Sequence, residues 1–238
     1  MKVPQALPDK ALAWQQALPK LQKLAKPPVQ LGPDQHLLWI DLSAGNTFLA
    51  QLDVADTAAT DAYIQQELKQ KNAAGAIGGY LENRLLYLRS NVFAADEHRT
   101  LHIGMDIWLP AGVPLFAVLP GSVHSYADND NFGDYGPTII LEHQLEDIQF
   151  YTLYGHLSRT SLASLYEGKT FAAGEPIATL GTEAENGNWP PHLHFQIILD
   201  MQGRRGDFPG VAAPSQKEYY QQLCPNPNDL LKFRTEDH

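Results

Sequence analysis

Two histidines separated by one residue stand in a stretch whose apolar and polar side chains alternate. A double proline at 190–191 precedes this stretch and excludes a helix there, because proline lacks the backbone N–H that a helix requires. On a strand, alternate residues face opposite sides, so His192 and His194 share one face with Gln196. The opposite face is apolar and consists of Leu193, Phe195, Ile197 and Leu199. We therefore predict a strand that packs on a core and holds two imidazoles over its sheet.

A histidine and a carboxylate are presented in the same way earlier in the chain. Residues 101–108 also alternate, and His102 and Asp106 fall on their polar face. A helix would place these two residues on one face as well, since they are four positions apart. Gly104 between them and Pro110 after them favour a strand, and the glycine leaves room for a close approach.

These residue types and their number suit a zinc ion. One histidine, one aspartate and a further histidine supply three ligands and leave a fourth tetrahedral position for water, which is typical of catalytic rather than structural zinc. Two neutral imidazoles and one carboxylate leave the ion with a net charge of about +1, which acidifies that water and polarises a substrate carbonyl. The spacing does not decide which of His192 and His194 is the ligand.

A further histidine follows a predicted strand at residues 150–155. Thr152, Tyr154 and His156 are expected to share a face, with His156 projecting from the strand end. Tyr154 could either pack or donate a hydrogen bond to a substrate. The remaining histidines are expected to be surface or hydrogen-bonded residues, although two of them, His98 and His143, could orient ligands. This remaining set is His36, His98, His124, His143 and His238.

The composition is that of a soluble globular chain. Its 238 residues, 44% of them hydrophobic, can bury a core. The net charge of −10 argues against nucleic acid or an anionic membrane surface as partner. One cysteine, Cys224, excludes an intramolecular disulfide and a cysteine zinc site, and a packed thiol is expected. No stretch reaches the length of a membrane span or a secretory signal, so a cytoplasmic location is expected.

The elements that must position these residues change in character along the chain. From about residue 100 to 200, short apolar segments alternate with frequent Gly and Pro, which predicts a β module. The earlier part predicts helices over 9–25 and 56–71, a hairpin over 36–52, a glycine turn at 73–79 and a strand over 80–89. A short helix near 216–223 precedes a proline-rich tail. We predict a mainly β fold, a compact antiparallel sheet or sandwich with an α+β N-terminal extension.

Several motifs within residues 98–200 together resemble the lysostaphin-type M23 family of zinc metallopeptidases. They are His102-Ile-Gly-Met-Asp106, Pro110-Ala-Gly with the apolar run to Val123, Tyr154-Gly-His156-Leu, Gly168 with Gly174, and His192-Leu-His194-Phe. The resemblance implies a compact antiparallel β fold with a groove and a peptide or peptidoglycan-like amide substrate. It further implies that His102, Asp106 and His194 bind zinc and that His156 and His192 are the catalytic histidines.

Residues 186–191 depart from the family's pattern. They read Asn-Gly-Asn-Trp-Pro-Pro where the family usually carries a Ser-Thr-Gly-Pro type run, and Trp189 is expected to crowd one end of the groove. Other segments resemble the M23-like modules fused to aminotransferase and kinase-like domains in large cytoplasmic proteins, which would imply a small amide or peptide substrate. These segments are Asp41-Leu-Ser, Asp134-Tyr-Gly-Pro, Trp189-Pro-Pro-His and Cys224-Pro-Asn-Pro.

The resulting hypothesis is a zinc-dependent metallopeptidase that uses an activated water. The alternatives are a non-hydrolytic binding or regulatory module of the same fold and a structural zinc domain. The hypothesis requires His102 and His194 to point into one space, and it counts an arginine paired with Asp106 against a metal site. The predicted organisation is a helical extension (1–34), an α+β region packing on the core (35–97), the M23-like domain (98–204) and a wrapping tail (205–238).

Overall fold

The computed structural model describes residues 7–53, 56–89 and 97–234, which contain four helices and twelve strands. In chain order these are α1 (Leu7–Leu24), β1 (Leu37–Ile40), α2 (Thr57–Lys71), β2 (Gly75–Gly78), β3 (Leu101–His102), β4 (Met105–Trp108), β5 (Pro114–Phe116), β6 (Gly121–Asn129), β7 (Gly136–Leu145), β8 (Ile148–Gly155), β9 (Thr170–Phe171), β10 (Pro176–Thr179), β11 (His192–Ile198), β12 (Val211–Ala212), α3 (Lys217–Leu223) and α4 (Pro227–Leu231). Short 3₁₀ helices lie at Leu49–Gln51, Leu85–Arg89, Arg159–Leu162 and Pro214–Gln216.

One large sheet dominates the described residues. Its eight strands run in the order β1-β2-β4-β11-β8-β7-β6-β9. β1 and β2 are parallel, and the other neighbours in this sheet are antiparallel. Two further ribbons pair β5 with β10 and β3 with β12. The predicted mainly β fold is confirmed, and the sheet is mixed because α2 forms a crossover connection that parallel strands require.

The three helices predicted from the sequence are present. α1 buries Leu7, Trp14 and Leu21, and the Trp14 ring packs edge-on against Phe150 with 5.1 Å between centroids. α2 begins after Asp56, whose side chain accepts the N–H of Ala59 at 3.1 Å. α3 lies where a short C-terminal helix was expected.

Three predictions for the N-terminal region are wrong. The segment 36–52 is not a hairpin, because Asn46 accepts the N–H groups of Phe48 and Leu49 and turns the chain into a 3₁₀ helix after β1. The glycine segment is the strand β2 rather than a turn, and a Cβ at Gly78 would collide with neighbouring side chains. Residues 80–89 form no strand; they bridge β3 at Asn83 and then enter a 3₁₀ helix.

The alternation that places the site residues is confirmed in β11. The β11 residues Leu193, Phe195 and Ile197, together with Leu199 just after the strand, belong to the main core cluster on one side of the sheet. Residues 101–108 form two strands rather than one, since the chain leaves β3 at Ile103 and joins β11 only from Met105 onward. His102 and Asp106 nevertheless remain on a common side.

His143 gives the fold a pH-dependent contribution to stability. Its ring stacks on Phe150, Nδ1–H donates to the Pro120 carbonyl at 2.8 Å, and Nε2 contacts the Thr152 hydroxyl at 2.7 Å. Burial lowers the pKa of His143 from 6.5 to about 4. The folded protein therefore binds this proton less readily than the unfolded chain, so the contribution is present above pH 6.5 and is lost as the pH falls toward 4. These contacts give His143 no role in orienting the predicted ligands.

We expect His143→Gln to flatten the pH dependence of unfolding. Between pH 6.5 and 4 the wild-type protein should lose about 3 kcal/mol through this group, and the variant should lose that much less. Urea unfolding at pH 7, 5.5 and 4.5 with a metal chelator present measures this difference. Parallel pH profiles for the two proteins would contradict it.

Candidate metal and catalytic site

The three predicted ligands meet over the centre of the sheet. Asp106 on β4 lies directly opposite His194 on β11, and His102 ends the short strand β3 beside them. Nε2 of His102 lies 3.1 Å from Nδ1 of His194, and Oδ1 of Asp106 lies 3.2 and 3.0 Å from these two nitrogens. All three residues are buried. A Cβ at Gly104 would lie 2.5 Å from the His194 ring, so the glycine admits this imidazole.

The hydrogen bond made by Nδ1 of His102 shows which ring nitrogen carries the proton. Nδ1 lies 2.9 Å from the backbone carbonyl of Gly79, and a carbonyl oxygen can only accept a hydrogen bond. Nδ1 therefore carries the proton, and the Nε2 lone pair points at the cluster. Burial, together with the positive charge of Arg84, lowers the pKa of His102 to about 4, so the ring is neutral at physiological pH.

The proton position on His194 is set through Gln196. The Gln196 amide nitrogen donates to the Pro209 carbonyl at 3.1 Å and to the Cys224 sulfur at 3.2 Å, so its oxygen faces His194. That oxygen lies 2.9 Å from Nε2 of His194 and accepts its N–H. In the neutral ring Nδ1 therefore carries no proton, and its lone pair points at the cluster.

Three lone-pair atoms thus face one another at 3.0 to 3.2 Å without a proton between them. This arrangement is repulsive unless a cation lies among them. Tetrahedral zinc with ligand bonds of about 2.05 Å places neighbouring ligand atoms about 3.3 Å apart, close to the spacing observed. On the far side of each ring, the N–H group donates to a protein acceptor, which is the Gly79 carbonyl for His102 and the Gln196 oxygen for His194. Such hydrogen bonds are usual for zinc-binding imidazoles. The donor set therefore fits zinc.

Arg84 is a site residue that the sequence did not reveal. Its Nη1 donates to Oδ2 of Asp106, and its Nε donates to Glu82 at 2.6 Å, all within a buried environment. Asp106 therefore does pair with an arginine, the arrangement counted against a metal site, but through Oδ2 alone. Oδ1 remains directed at His102 and His194.

The charge state of Asp106 agrees with a ligand role. Burial by itself raises the pKa of the Asp106 carboxyl, but its interactions with the His102 ring and the Arg84 guanidinium outweigh burial and hold this pKa well below its usual range. The carboxyl is therefore ionised, with one oxygen held by Arg84 and the other available to a metal.

His156 reaches the site through an unusual backbone conformation. In the strand register Tyr154 lies opposite Phe195 on the core side, so strict alternation would send His156 to the core as well. A φ of 63° at His156 turns its ring to the site instead. The prediction that Tyr154 and His156 share a face is therefore wrong. Tyr154 is fully buried in the core, where its hydroxyl accepts the Val118 N–H at 2.8 Å.

The two histidines predicted to be catalytic lie together beside the ligand cluster. The His156 and His192 rings have centroids 4.1 Å apart. Nδ1–H of His156 donates to the Asn186 carbonyl at 2.9 Å, and that of His192 donates to the Pro190 carbonyl at 2.7 Å. Burial lowers the pKa of both rings, so each neutral imidazole presents Nε2 as a base.

Tyr135 is a second residue that sequence reasoning missed. Its hydroxyl lies 3.4 Å from Nε2 of His194, and its ring centroid lies 5.5 Å from that of His156. Burial raises the pKa of Tyr135 well above 10, so the hydroxyl keeps its proton and can donate. The available signal is its place in the Asp134-Tyr-Gly-Pro segment, whose resemblance to the fused M23-like modules assigns Tyr135 no role in the site.

The other residues of interest lie outside the cluster. His36 and His98 are exposed and His124 is half-buried, while His238 lies outside the described residues. Cys224 is buried, as expected for a packed thiol, and burial raises its pKa to about 12. Such a thiol is not a nucleophile at neutral pH.

A cavity of about 200 Å³ lies over the cluster. Residues from the N-terminal region form part of its wall, and Trp189 lines it, as was predicted for one end of the groove. The ligand side chains beneath are almost inaccessible, with His102 at 0% and His194 at 3% exposure. The site therefore lies at the bottom of a partly open pocket.

Gln196 is expected to control zinc affinity through His194. Gln196→Leu removes the acceptor of the Nε2–H group, so the zinc affinity should fall by about 10- to 100-fold. Gln196→Glu keeps an acceptor oxygen and should bind zinc within a few-fold of wild type. Competition with a chromophoric chelator measures both affinities, and an unchanged affinity in Gln196→Leu would contradict this role.

A model of a known protein family matches part of the chain. Residues 100–206 match the model of peptidase family M23, so the resemblance seen in the motifs is confirmed for that segment. None of the curated proteins matches the chain. The likeness to modules fused with aminotransferase or kinase-like domains remains a prediction.

Similar solved structures include three peptidases. A zinc-containing peptidase from Vibrio cholerae is 26% identical over 41% of this chain and 27% of that chain, with a TM-score of 0.34. A putative M23 peptidase from Pseudomonas aeruginosa is 20% identical over 56% and 44%, with a TM-score of 0.37. The catalytic domain of lysostaphin from Staphylococcus simulans is 22% identical over 50% and 79%, with a TM-score of 0.36. The match thus spans less than half the length of the first two proteins.

Among residues 7–53, 56–89 and 97–234, none of the helices combines the length and apolar character needed to cross a membrane.

Proposed function

We propose that this protein is a zinc-dependent metallopeptidase that hydrolyses a peptide or a related amide. His102, Asp106 and His194 bind the metal, and His156 and His192 are the catalytic histidines. The observation that carries the proposal is the set of three lone-pair atoms within 3.2 Å of one another, whose outer hydrogen bonds leave no proton between them. The M23 match of residues 100–206 supports the same chemistry.

Different side chains of the site contribute to different steps of the proposed reaction. Zinc, when bound, polarises the substrate carbonyl and lowers the pKa of water. His192 or His156 accepts a proton from the attacking water at Nε2 and delivers it to the leaving amine. Their Nδ1–H groups are anchored to backbone carbonyls, so the rings stay oriented during proton transfer. The protonated Tyr135 hydroxyl lines the cavity and can donate to the oxyanion.

Metal analysis and a peptide panel test the proposal together. The purified protein should contain about one zinc per chain and hydrolyse at least one member of a panel of short peptides and peptidoglycan-like amides. We also expect His156→Ala to keep its zinc while kcat falls by about 10²- to 10⁴-fold, because it removes a proton-transfer group and not a ligand. Loss of zinc in His156→Ala would instead assign this residue to the metal.

A non-hydrolytic binding module is the second candidate, and the Arg84 contact favours it. The guanidinium balances the charge of Asp106 and so stabilises this carboxylate in the absence of a metal. Protein that lacks both zinc and hydrolysis would support this candidate. One bound zinc without hydrolysis of any substrate would indicate a structural zinc domain. A cytoplasmic location and the identity of the scissile bond remain predictions.

A further inference from the structure

We propose that the N-terminal region builds an apolar side-chain pocket beside the metal cluster, and that the substrate is a short peptide or N-acylated amino-acid amide carrying one large aliphatic or aromatic residue at the scissile bond. This inference rests on the proposed function for the reaction but not for the binding. The pocket residues before position 98 lie outside the segment that matches the M23 model.

The wall of this pocket is formed by apolar side chains from separate elements. Ile64 comes from α2, Leu42 follows β1, and Leu86 and Tyr87 come from the 3₁₀ helix after β2. They belong to one hydrophobic cluster together with Trp108 and Trp189, which also line the cavity. A ligand in this pocket therefore contacts aliphatic and aromatic side chains.

The apolar pocket lies directly beside the residues proposed to bind the metal and to transfer protons. The Tyr87 and Trp189 rings pack edge to face with centroids 6.0 Å apart. The Tyr87 centroid lies 6.2 Å from that of the ligand His102, and the Trp189 centroid lies 6.4 Å from that of the catalytic His192. A side chain held against these two rings belongs to a residue at the scissile bond and not to a distant one.

Thr60 and Arg84 line this end of the cavity, and their side-chain polar atoms other than Nη2 of Arg84 are engaged within the protein. Thr60 donates its hydroxyl to the Asp56 carbonyl at 3.3 Å, and the charge of Arg84 is balanced by Glu82 and Asp106. Nη2 of Arg84 has no hydrogen-bond partner among the described residues, but it is buried beside Gly78 and the Trp108 ring. The pocket therefore favours an apolar group over a charged one.

The size of the cavity limits the occupant. A cavity of about 150 Å³ lined by aliphatic and aromatic side chains holds one benzene molecule, and the cavity here measures about 200 Å³. One ring-sized or branched aliphatic side chain fits this space together with part of its backbone. The near-complete burial of the ligands beneath argues against a long polymer strand.

Calorimetric titration of the purified protein with capped amino acids tests the pocket. N-acetylphenylalaninamide and N-acetylleucinamide should bind at least about tenfold more tightly than N-acetylglycinamide, because each buries its side chain. Equal affinity for the three compounds would overturn the proposal. Hydrolysis is not needed for this readout, so size-dependent binding without turnover would retain the pocket while rejecting the proposed reaction. Turnover without size-dependent binding would support the proposed reaction and reject the pocket.

Two substitutions on α2 assign the effect to the cavity wall. Ile64→Ala enlarges the pocket and should weaken binding of N-acetylleucinamide about fivefold or more relative to N-acetyltryptophanamide. Leu68→Ala is the control, because Leu68 packs in the same cluster one turn later and does not line this cavity. If Ile64→Ala does not fold, Ile64→Val should shift the preference in the same direction by a smaller factor. An equal shift in Leu68→Ala would overturn the assignment.

Discussion

Replacing His194 with alanine is expected to abolish zinc binding and peptidase activity together. His194 supplies Nδ1 to the cluster, and its loss leaves only Nε2 of His102 and one oxygen of Asp106 facing each other at 3.2 Å. Two ligands hold zinc far more weakly than three. Since the metal contributes several kcal/mol of transition-state stabilisation, kcat/KM should fall by at least about a thousandfold.

The measurement does not depend on finding the natural substrate. Zinc raises the unfolding temperature of a protein that binds it only in the folded state. The wild-type protein, after chelation, should therefore gain thermal stability on addition of zinc, and His194→Ala should not. His124→Ala is the matched control, because His124 is half-buried and contacts Ser125 and Tyr151 away from the site. Retention of one zinc per chain by His194→Ala would count against the ligand assignment.

The β elements around the ligands could be predicted from sequence because their information is local. Alternation in residues 192–199 and 101–108 depends only on neighbouring residues, and the Pro and Gly positions limit where strands begin. The hydrophobic side of β11 follows directly from this pattern. Local signals also predicted α1, whose apolar residues recur at helical spacing, and α2, which Asp56 caps, and α3 lies where a short helix was expected.

The N-terminal strands could not be predicted because their determinants are distant in sequence. Gly75 and Gly78 carry no apolar side chains, and they form a strand because β1 on one side and β4 on the other accept a backbone without Cβ atoms. The segment after β2 pairs with β3 only over residues 81–84 of the described chain, and its next residues form a 3₁₀ helix. Propensity alone does not contain these pairings.

The same limit applies to the site. The ligand types and faces were evident from the sequence, but the partners that fix their protons were not. Gly79 and Arg84 reach His102 and Asp106 from other segments of the chain. Gln196 shares a strand face with His194, but distant Pro209 and Cys224 orient its amide. The positive φ of His156 likewise breaks the alternation from which its face was inferred. Short-range pattern therefore identified the chemistry, while tertiary contacts set the protonation states.

Replacing Arg84 with methionine is expected to destabilise the zinc-free protein strongly and the zinc-bound protein less. Arg84 is buried and pairs with Asp106 and Glu82, whose side chains are 3% and 11% exposed. Removing the guanidinium leaves the buried Asp106 carboxylate and the partly buried Glu82 carboxylate without a cation, which costs about 3 to 5 kcal/mol. A zinc ion supplies a cation to Asp106 and offsets part of this loss.

Urea unfolding of wild type and Arg84→Met, each with a chelator and with excess zinc, separates the two candidate functions. If Asp106 is a ligand, zinc must stabilise the variant more than the wild type, because coupling between the guanidinium and the metal acts in both directions. Arg159→Met removes an exposed arginine that pairs with Asp128 and Asp130, and its unfolding free energy should stay close to wild type. Equal destabilisation of Arg84→Met with and without zinc would show that the metal does not share Asp106 with Arg84. The carboxylate would then serve the ion pair alone, as the non-hydrolytic candidate requires.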